Sequence, residues 1–128
     1  MRNAKSIMPL LHNLKLDRQA VQFLHDELSR IADMKKGLPA NRQKALEDEV
    51  RDLKFRLMLT VNHVGRIERL LQCLDEEEQL VIDKMCVHPS PNATFDLMEQ
   101  LHCERTRIYK LRNRAVTKLT RLYFGAEE

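Results

Sequence analysis

The segment that decides the fold is TFDLMEQLHCERTRIYKLRNRAVTKLTRLYFG, residues 94–125. Between Arg105 and Arg121 it carries seven Lys or Arg residues in 17 positions and no Asp or Glu. The whole chain has 22 basic and 19 acidic residues, so composition does not explain this exclusion of acids. A short helix, a tight turn at residues 102–103 and a longer basic helix from about Glu104 to Phe124 form the helix-turn-helix pattern.

The basic helix has one apolar face, which predicts how it packs. Its apolar residues recur at steps of three or four: Ile108, Leu111, Ala115, Leu119 and Leu122. This spacing places them on one side of a helix, so we expect them to pack on Leu97 and Leu101 and on the preceding helix. The opposite face carries Thr106, Lys110, Asn113 and Thr117, with Tyr109 and Arg121 beside them.

A helix without acids suits a polyanion, because a carboxylate on a docking helix would repel the phosphates of DNA. Each Lys or Arg near a phosphate releases counterions and strengthens binding. Asn can read adenine and Arg can read guanine in the major groove, which here suggests Asn113 and Arg105. The predicted DNA-binding residues are Arg105, Thr106, Arg107, Tyr109, Lys110, Arg112, Asn113, Arg114 and Lys118.

An acidic turn precedes the helix-turn-helix. Asp75 is followed by three Glu residues, and the spacing from Asp75 to Glu78 predicts a capping box for a helix that runs to about Val87. The alternative to DNA binding is a basic helix that docks on this acidic turn or is simply solvated. Residues 88–92 form a loop, after which Asn92 or Thr94 can cap the next helix.

Two long helices are predicted in the N-terminal half. The first runs from about Lys5 to Met34, continuous or restarted near Asp17, and Gly37 is expected to end it in the left-handed conformation. The second has four heptads with one polar interruption, which is typical of a coiled-coil-like helix. They pack as an antiparallel hairpin or on a second copy of the chain. The stripe of the second helix comprises Leu46, Val50, Leu53, Leu57, Thr60, Val64, Ile67, Leu71 and Leu74.

Composition limits the other function classes. No apolar run approaches the ~18 residues that span a bilayer, and the N-terminus does not read as a signal peptide. Three cysteines without framework spacing indicate reduced thiols in a cytoplasmic protein. Cys86, His88, His102 and Cys103 lack the spacing of a zinc site, and three glycines offer no phosphate-binding loop. We therefore expect no enzymatic activity, no catalytic residues, no metal and no cofactor.

From Leu74 to Gly125 the sequence resembles promoter-binding region 4 of bacterial sigma factors. It is more similar to the sigma-like late-gene regulators of phages of Gram-positive bacteria, the ArpU and RinA type. The ending Leu119-Thr-Arg-Leu122-Tyr-Phe-Gly125 is similar to the end of their recognition helix. Two positions depart from that pattern, because Met98 replaces a small residue and His102 replaces the usual Gly. The resemblance implies a transcription regulator, an activator of late phage genes.

The sequence thus predicts an all-α fold with two domains: a long helical hairpin over residues 1–73 for packing and oligomerisation, and a three-helix, sigma region 4-like helix-turn-helix unit over residues 74–128. The predicted partners are double-stranded DNA, a second copy of the chain through the long helices, and RNA polymerase, with no membrane. We expect the protein in the bacterial cytoplasm, associated with the nucleoid. The alternative is a protein-interaction module that binds RNA polymerase or another regulator through its long helices. An RNA-binding role is disfavoured, because only Tyr109 and Tyr123 could stack on bases in the basic helix.

Overall fold

The computed structural model describes residues 6–125, which form five α-helices and no strand. An all-α fold is therefore confirmed. The helices are α1 (Met8–Lys36), α2 (Ala40–Leu71), α3 (Glu76–Ile82), α4 (Ala93–Leu101) and α5 (Arg105–Phe124).

The two long helices follow the predicted apolar periodicity, with shifted ends. The α1 helix runs through Asp17 without a restart. The α2 helix begins six residues before the first stripe position, Leu46, and stops at Leu71. Leu74, the last position of the stripe, lies beyond the end of α2 but is still buried. The stripe thus identifies the apolar face correctly and overestimates the C-terminal length of the helix.

The turn between α1 and α2 is made without a left-handed residue at Gly37, so that prediction is wrong. Gly125 is the one glycine with positive φ among the described residues. The side-chain amide of Gln43 instead donates to the carbonyls of Lys35 and Leu38, at 3.0 and 2.9 Å. Lys35 belongs to the last turn of α1 and Leu38 to the turn itself, which is also closed by backbone bonds from the N–H groups of Gly37 and Leu38 to the carbonyls of Met34 and Lys35.

The predicted capping box at the start of α3 is confirmed. Asp75 Oδ1 accepts from the backbone N–H of Glu78 at 2.8 Å, and Glu78 Oε1 accepts from the backbone N–H of Asp75 at 3.1 Å. The helix then widens into a π-helical turn over Asp83–Val87, closed by a 2.7 Å bond from the His88 N–H to the Asp83 carbonyl. The predicted helix to about Val87 did not include this π-helical turn.

Contacts divide the chain into two compact units. The hairpin unit is Leu16–Gly65, and the basic-helix unit contains the described residues 6–15 and 66–125. These bounds differ from the sequence-based division after residue 73. The start of α1 and the last turn of α2 belong to the same unit as α3, α4 and α5.

The beginning of α1 contributes to the core of the basic-helix unit. Ile7, Leu11 and Leu14 are fully buried. The backbone N–H of Ile7 donates to Thr120 Oγ1 of α5 at 3.2 Å, and Met8 Sδ lies 3.9 Å from Cys86 Sγ. The first turns of α1 therefore stabilise the C-terminal helices directly.

The hairpin unit consists of the remainder of α1 and most of α2 in antiparallel sense. Near the turn, Lys35 Nζ lies 3.6 Å from Glu47 Oε1, and near the other end His63 Nε2 lies 3.6 Å from Asp17 Oδ2. Few of its side chains are fully covered, and Ile31 is the most buried at 1 % exposure. Large apolar side chains of this unit are instead exposed, among them Phe23, Phe55, Met58 and Leu59.

Candidate nucleic-acid interface

The helix-turn-helix elements rest on a small, closed core. Val81 of α3, Leu97 of α4, and Ile108 and Leu111 of α5 form one buried cluster. The partly buried side chains packed around it are Leu80, Met85, Met98, Leu101 and Cys103. The predicted apolar face of α5 is confirmed from Ile108 to Leu119, whereas Leu122 is 51 % exposed and lies in the last turn, past the packed part of the helix.

The turn between α4 and α5 is built on His102. This residue adopts the left-handed conformation, with φ 50° and ψ 50°, and its N–H donates to the Met98 carbonyl. Left-handed backbone costs a residue with a Cβ about 1–2 kcal/mol, which glycine avoids. His102 thus fills the position where the resembled pattern has glycine. Met98 is half-buried in the same core, where that pattern has a small residue.

The start of α4 differs from the prediction in one respect, and α5 begins in a similar way. Asn92 occupies the N-cap position of α4, but its side chain makes no capping bond, and Thr94 lies inside the helix. The N-cap of α5 is Glu104, also without a side-chain bond, and its carbonyl accepts from the N–H groups of Arg107 and Ile108. Both helices therefore begin without a side-chain cap.

All nine predicted DNA-binding residues lie on α5, and eight are exposed. Arg112 is the exception, being half-buried. Its guanidinium donates to the side-chain oxygen of the neighbouring Asn113 at 3.2 Å. An adenine would use the oxygen and the NH2 group of the Asn113 amide, and the bond from Arg112 occupies one of the two lone pairs of that oxygen.

Two of the predicted DNA contacts are bound to the acidic turn of α3. Arg107 Nη2 lies 2.9 Å from Glu77 Oε1. Arg114 Nε lies 3.0 Å from Glu78 Oε2, and its Nη2 lies 3.4 Å from Asp75 Oδ2. Glu78 is buried, with only 3 % of its side chain exposed. These two arginines therefore dock on the acidic turn, which was the alternative to DNA contact for the basic helix.

Charge and hydrogen bonding keep this contact ionised. The hydrogen bond to Glu78 raises the pKa of Arg114, so its guanidinium stays protonated. The backbone N–H of Glu78 lowers the pKa of Asp75, and the charges of Arg114 and Lys118 lower it further. The contact between α5 and the acidic turn of α3 therefore combines charges of both signs.

The opposite flank of α5 has a different environment. Arg112 lies near Cys86, where burial raises the pKa of the thiol and the arginine charge opposes that effect. The guanidinium carbon of Arg105 lies 5.8 Å from the centre of the exposed Phe95 ring. Neither arginine forms an ion pair within residues 6–125, and the same holds for Lys110 and, on the side of α3, for Lys118.

A shallow groove continues the exposed face toward the end of α5. Its volume is about 530 Å³, and it is lined by Asn113, Arg114, Thr117, Lys118, Arg121 and Leu122. Thr117 and Arg121 lie outside the predicted DNA-binding set, although the helical wheel placed both on the outer side. Arg121 extends the cationic surface by about one turn beyond Lys118.

No group of three or more His, Cys, Asp or Glu between residues 6 and 125 is arranged to hold a metal ion. Within the same range, no helix is long and apolar enough to cross a membrane.

Comparisons of the chain with protein-family models, with curated proteins and with solved structures found no match.

Proposed function

We propose that this protein binds double-stranded DNA sequence-specifically, with α5 in the major groove, and regulates transcription. The observation that carries the proposal is the outer face of α5, which is exposed, cationic and free of acids over residues 105–121. A short helix and a tight turn precede it, and a buried cluster supports it from behind. An α-helix of this kind fits the width of the major groove.

The biological setting that we propose follows the resemblance to sigma region 4 and to the ArpU and RinA type. In that setting the protein is an activator of late genes of a phage or prophage, acting at the nucleoid in the cytoplasm of a bacterial host. The resemblance, which rests on residues 74–125, supports this finer assignment. The charge and exposure of α5 support only the binding to nucleic acid.

The test is a selection from a random pool of duplex DNA, followed by affinity measurements on the enriched sequence. Lys110→Ala with Arg112→Ala should abolish binding. The control is Lys44→Ala with Lys54→Ala, which removes two exposed cations of the hairpin unit and should leave binding unchanged. Thermal unfolding of both double variants shows whether the fold is retained. Equal binding by folded forms of the two variants would refute the assignment of α5.

We further propose that the protein is a homodimer through its long helices. The support is the exposure of large apolar side chains on the hairpin unit, with Phe23 62 %, Phe55 55 % and Leu59 51 % exposed. Leu57→Asp should break the hairpin or the dimer, because Leu57 is half-buried on the apolar stripe; Leu59→Asp changes an exposed side chain and should abolish self-association alone, whereas Asn62→Asp adds the same charge at an exposed polar position of α2 and should not. Light scattering measures self-association, and a well-folded wild-type monomer would contradict the dimer.

The same exposed apolar side chains support a second candidate function. In it, the hairpin unit binds RNA polymerase or another regulator, and DNA contact is secondary. Purified bacterial RNA polymerase immobilised on a surface tests this directly. Binding that Phe55→Ser weakens, and that Lys110→Ala leaves unchanged, would support it. Equal retention of both variants would contradict it.

A further inference from the structure

Phe95 and Arg105 form a contact between the start of α4 and the start of α5. Phe95 is the third residue of α4, and Arg105 is the first residue of α5. The guanidinium carbon lies 5.8 Å from the centre of the phenyl ring, which is within the range of a cation–π interaction. In the sequence, Phe95 is one of the apolar residues of the short helix that became α4.

The environment of this pair differs from that of the other arginines. Phe95 is 60 % exposed and adds little to the core, so burial does not explain a large aromatic residue at this position. Arg107 and Arg114 have carboxylate partners in α3. Arg105 has none within residues 6–125, and its described partner is the ring. A ring attracts the guanidinium without occupying its N–H donors, which stay available to a ligand.

We propose that Phe95 positions Arg105 to read one guanine of the bound DNA, a claim that rests on the proposed function. Bidentate recognition of guanine O6 and N7 needs the guanidinium fork held in one direction. A free Arg side chain loses much rotamer freedom when it binds, and contact with a ring reduces that loss. Phe95 is therefore a specificity-determining residue that acts through Arg105, without touching the base itself.

The experiment is a double-mutant cycle on base preference with the full chain. The four proteins are the wild type, Arg105→Ala, Phe95→Leu and the double variant. Each is used in a selection from random duplex DNA, then in affinity measurements on sites that differ at a single base pair. Phe95→Leu keeps an apolar side chain and removes the aromatic ring. Phe95→Tyr keeps an aromatic ring at this position and serves as the conservative control.

Arg105→Ala should lower the discrimination at one G·C pair by about tenfold, in line with the loss of one bidentate contact. Phe95→Leu should lower it at the same pair by about two- to fivefold, in line with an exposed cation–π contact. The double variant should behave like Arg105→Ala alone, and Phe95→Tyr like the wild type. The salt dependence of binding should be the same for Phe95→Leu and the wild type, because no charge is removed.

Three results would overturn the positioning role. The Phe95→Leu protein could keep the full preference, it could change the preference at a different base pair, or its effect could multiply with that of Arg105→Ala. The last two results would mean that Phe95 contacts DNA by itself. Failure of the proposed function is distinguishable, because then the wild type itself would enrich no sequence, and the role of Phe95 would fall with it.

Discussion

The ion pairs between α3 and α5 make a quantitative prediction about the salt dependence of DNA binding. Each phosphate that a protein cation neutralises contributes about −0.9 to the slope of log K against log salt. The predicted DNA-binding set contains six cations, but Arg107 and Arg114 are bound to carboxylates of α3. At most four remain for phosphates: Arg105, Lys110, Arg112 and Lys118.

The two counts differ enough to be separated by experiment. Four cations per bound protomer give a slope of about −3.6, so a fourfold rise in salt should weaken binding about 150-fold. Six cations give about −5.4 and a loss of about 1,800-fold over the same range. We expect a slope no steeper than the smaller value, because Arg105 is proposed to contact a base and Lys118 lies close enough to Asp75 to lower the pKa of that carboxyl. Fluorescence anisotropy of a labelled duplex between about 50 and 200 mM salt measures it.

Variants at α5 assign the slope to particular side chains. Lys110→Gln should reduce its magnitude by about 0.9. The paired replacement of Arg107→Gln with Glu77→Gln removes a cation and its carboxylate together, so it should leave both slope and affinity unchanged. A reduction by the paired replacement as large as that by Lys110→Gln would refute the reasoning. It would mean that DNA displaces Glu77 and uses Arg107 for a phosphate.

Three further predictions concern the basic-helix unit. His102→Gly should raise the free energy of unfolding by about 0.5–1 kcal/mol in urea denaturation, because glycine relieves the left-handed backbone, whereas His102→Ala should bring no gain. Leu11→Ala should lower the free energy of unfolding by about 2–5 kcal/mol, because Leu11 is fully buried. Leu16→Ala changes an exposed side chain and should alter the free energy of unfolding by less than about 0.5 kcal/mol. Similar values for the two variants would contradict the packing of α1 in this core. The pKa of Asp75 is lowered in the folded state, so the stabilisation by its carboxylate is present above its ordinary pKa and is lost as the pH falls through the folded-state pKa. Asp75→Asn should therefore lower the melting temperature at neutral pH, and the difference in melting temperature from the wild type should become smaller in acid. An equal difference in melting temperature at every pH would contradict this prediction.

Periodicity predicted the helices well, because it depends on local spacing. The stripe from Leu46 identified α2, and the spacing of Asp75 and Glu78 identified the capping box. Ends were less predictable. The stripe continues to Leu74, which is buried after the helix has stopped, so an apolar residue in register does not prove that the helix continues. Gly37 likewise suggested a left-handed cap, whereas backbone bonds and the side chain of Gln43 hold this turn.

The partners of each face were not predictable from spacing. The apolar residues at the start of α1 follow the same stripe as those of the hairpin unit, yet Ile7 and Leu11 pack in the core of the basic-helix unit. Glu77 and Arg107 are 30 residues apart in sequence, and a charge pattern does not report distances between segments. The sequence therefore identified the cations of α5 but did not indicate which of them bind the carboxylates of α3.

The acidic turn explains how α5 can dock on α3 and still attract DNA from another direction. The guanidinium groups of Arg107 and Arg114 meet three carboxylates of that turn, which leaves this flank with a net charge of −1 before Lys118 is counted and neutral after it. A flank without net charge does not attract phosphates electrostatically. Arg105, Lys110 and Arg112 lie away from these acids, so the electrostatic attraction is directed to the outer face and the Arg105 side of α5. Under the proposed function, the DNA strand nearest to α5 should therefore run past Arg105 and Lys110, with α3 on the side away from it.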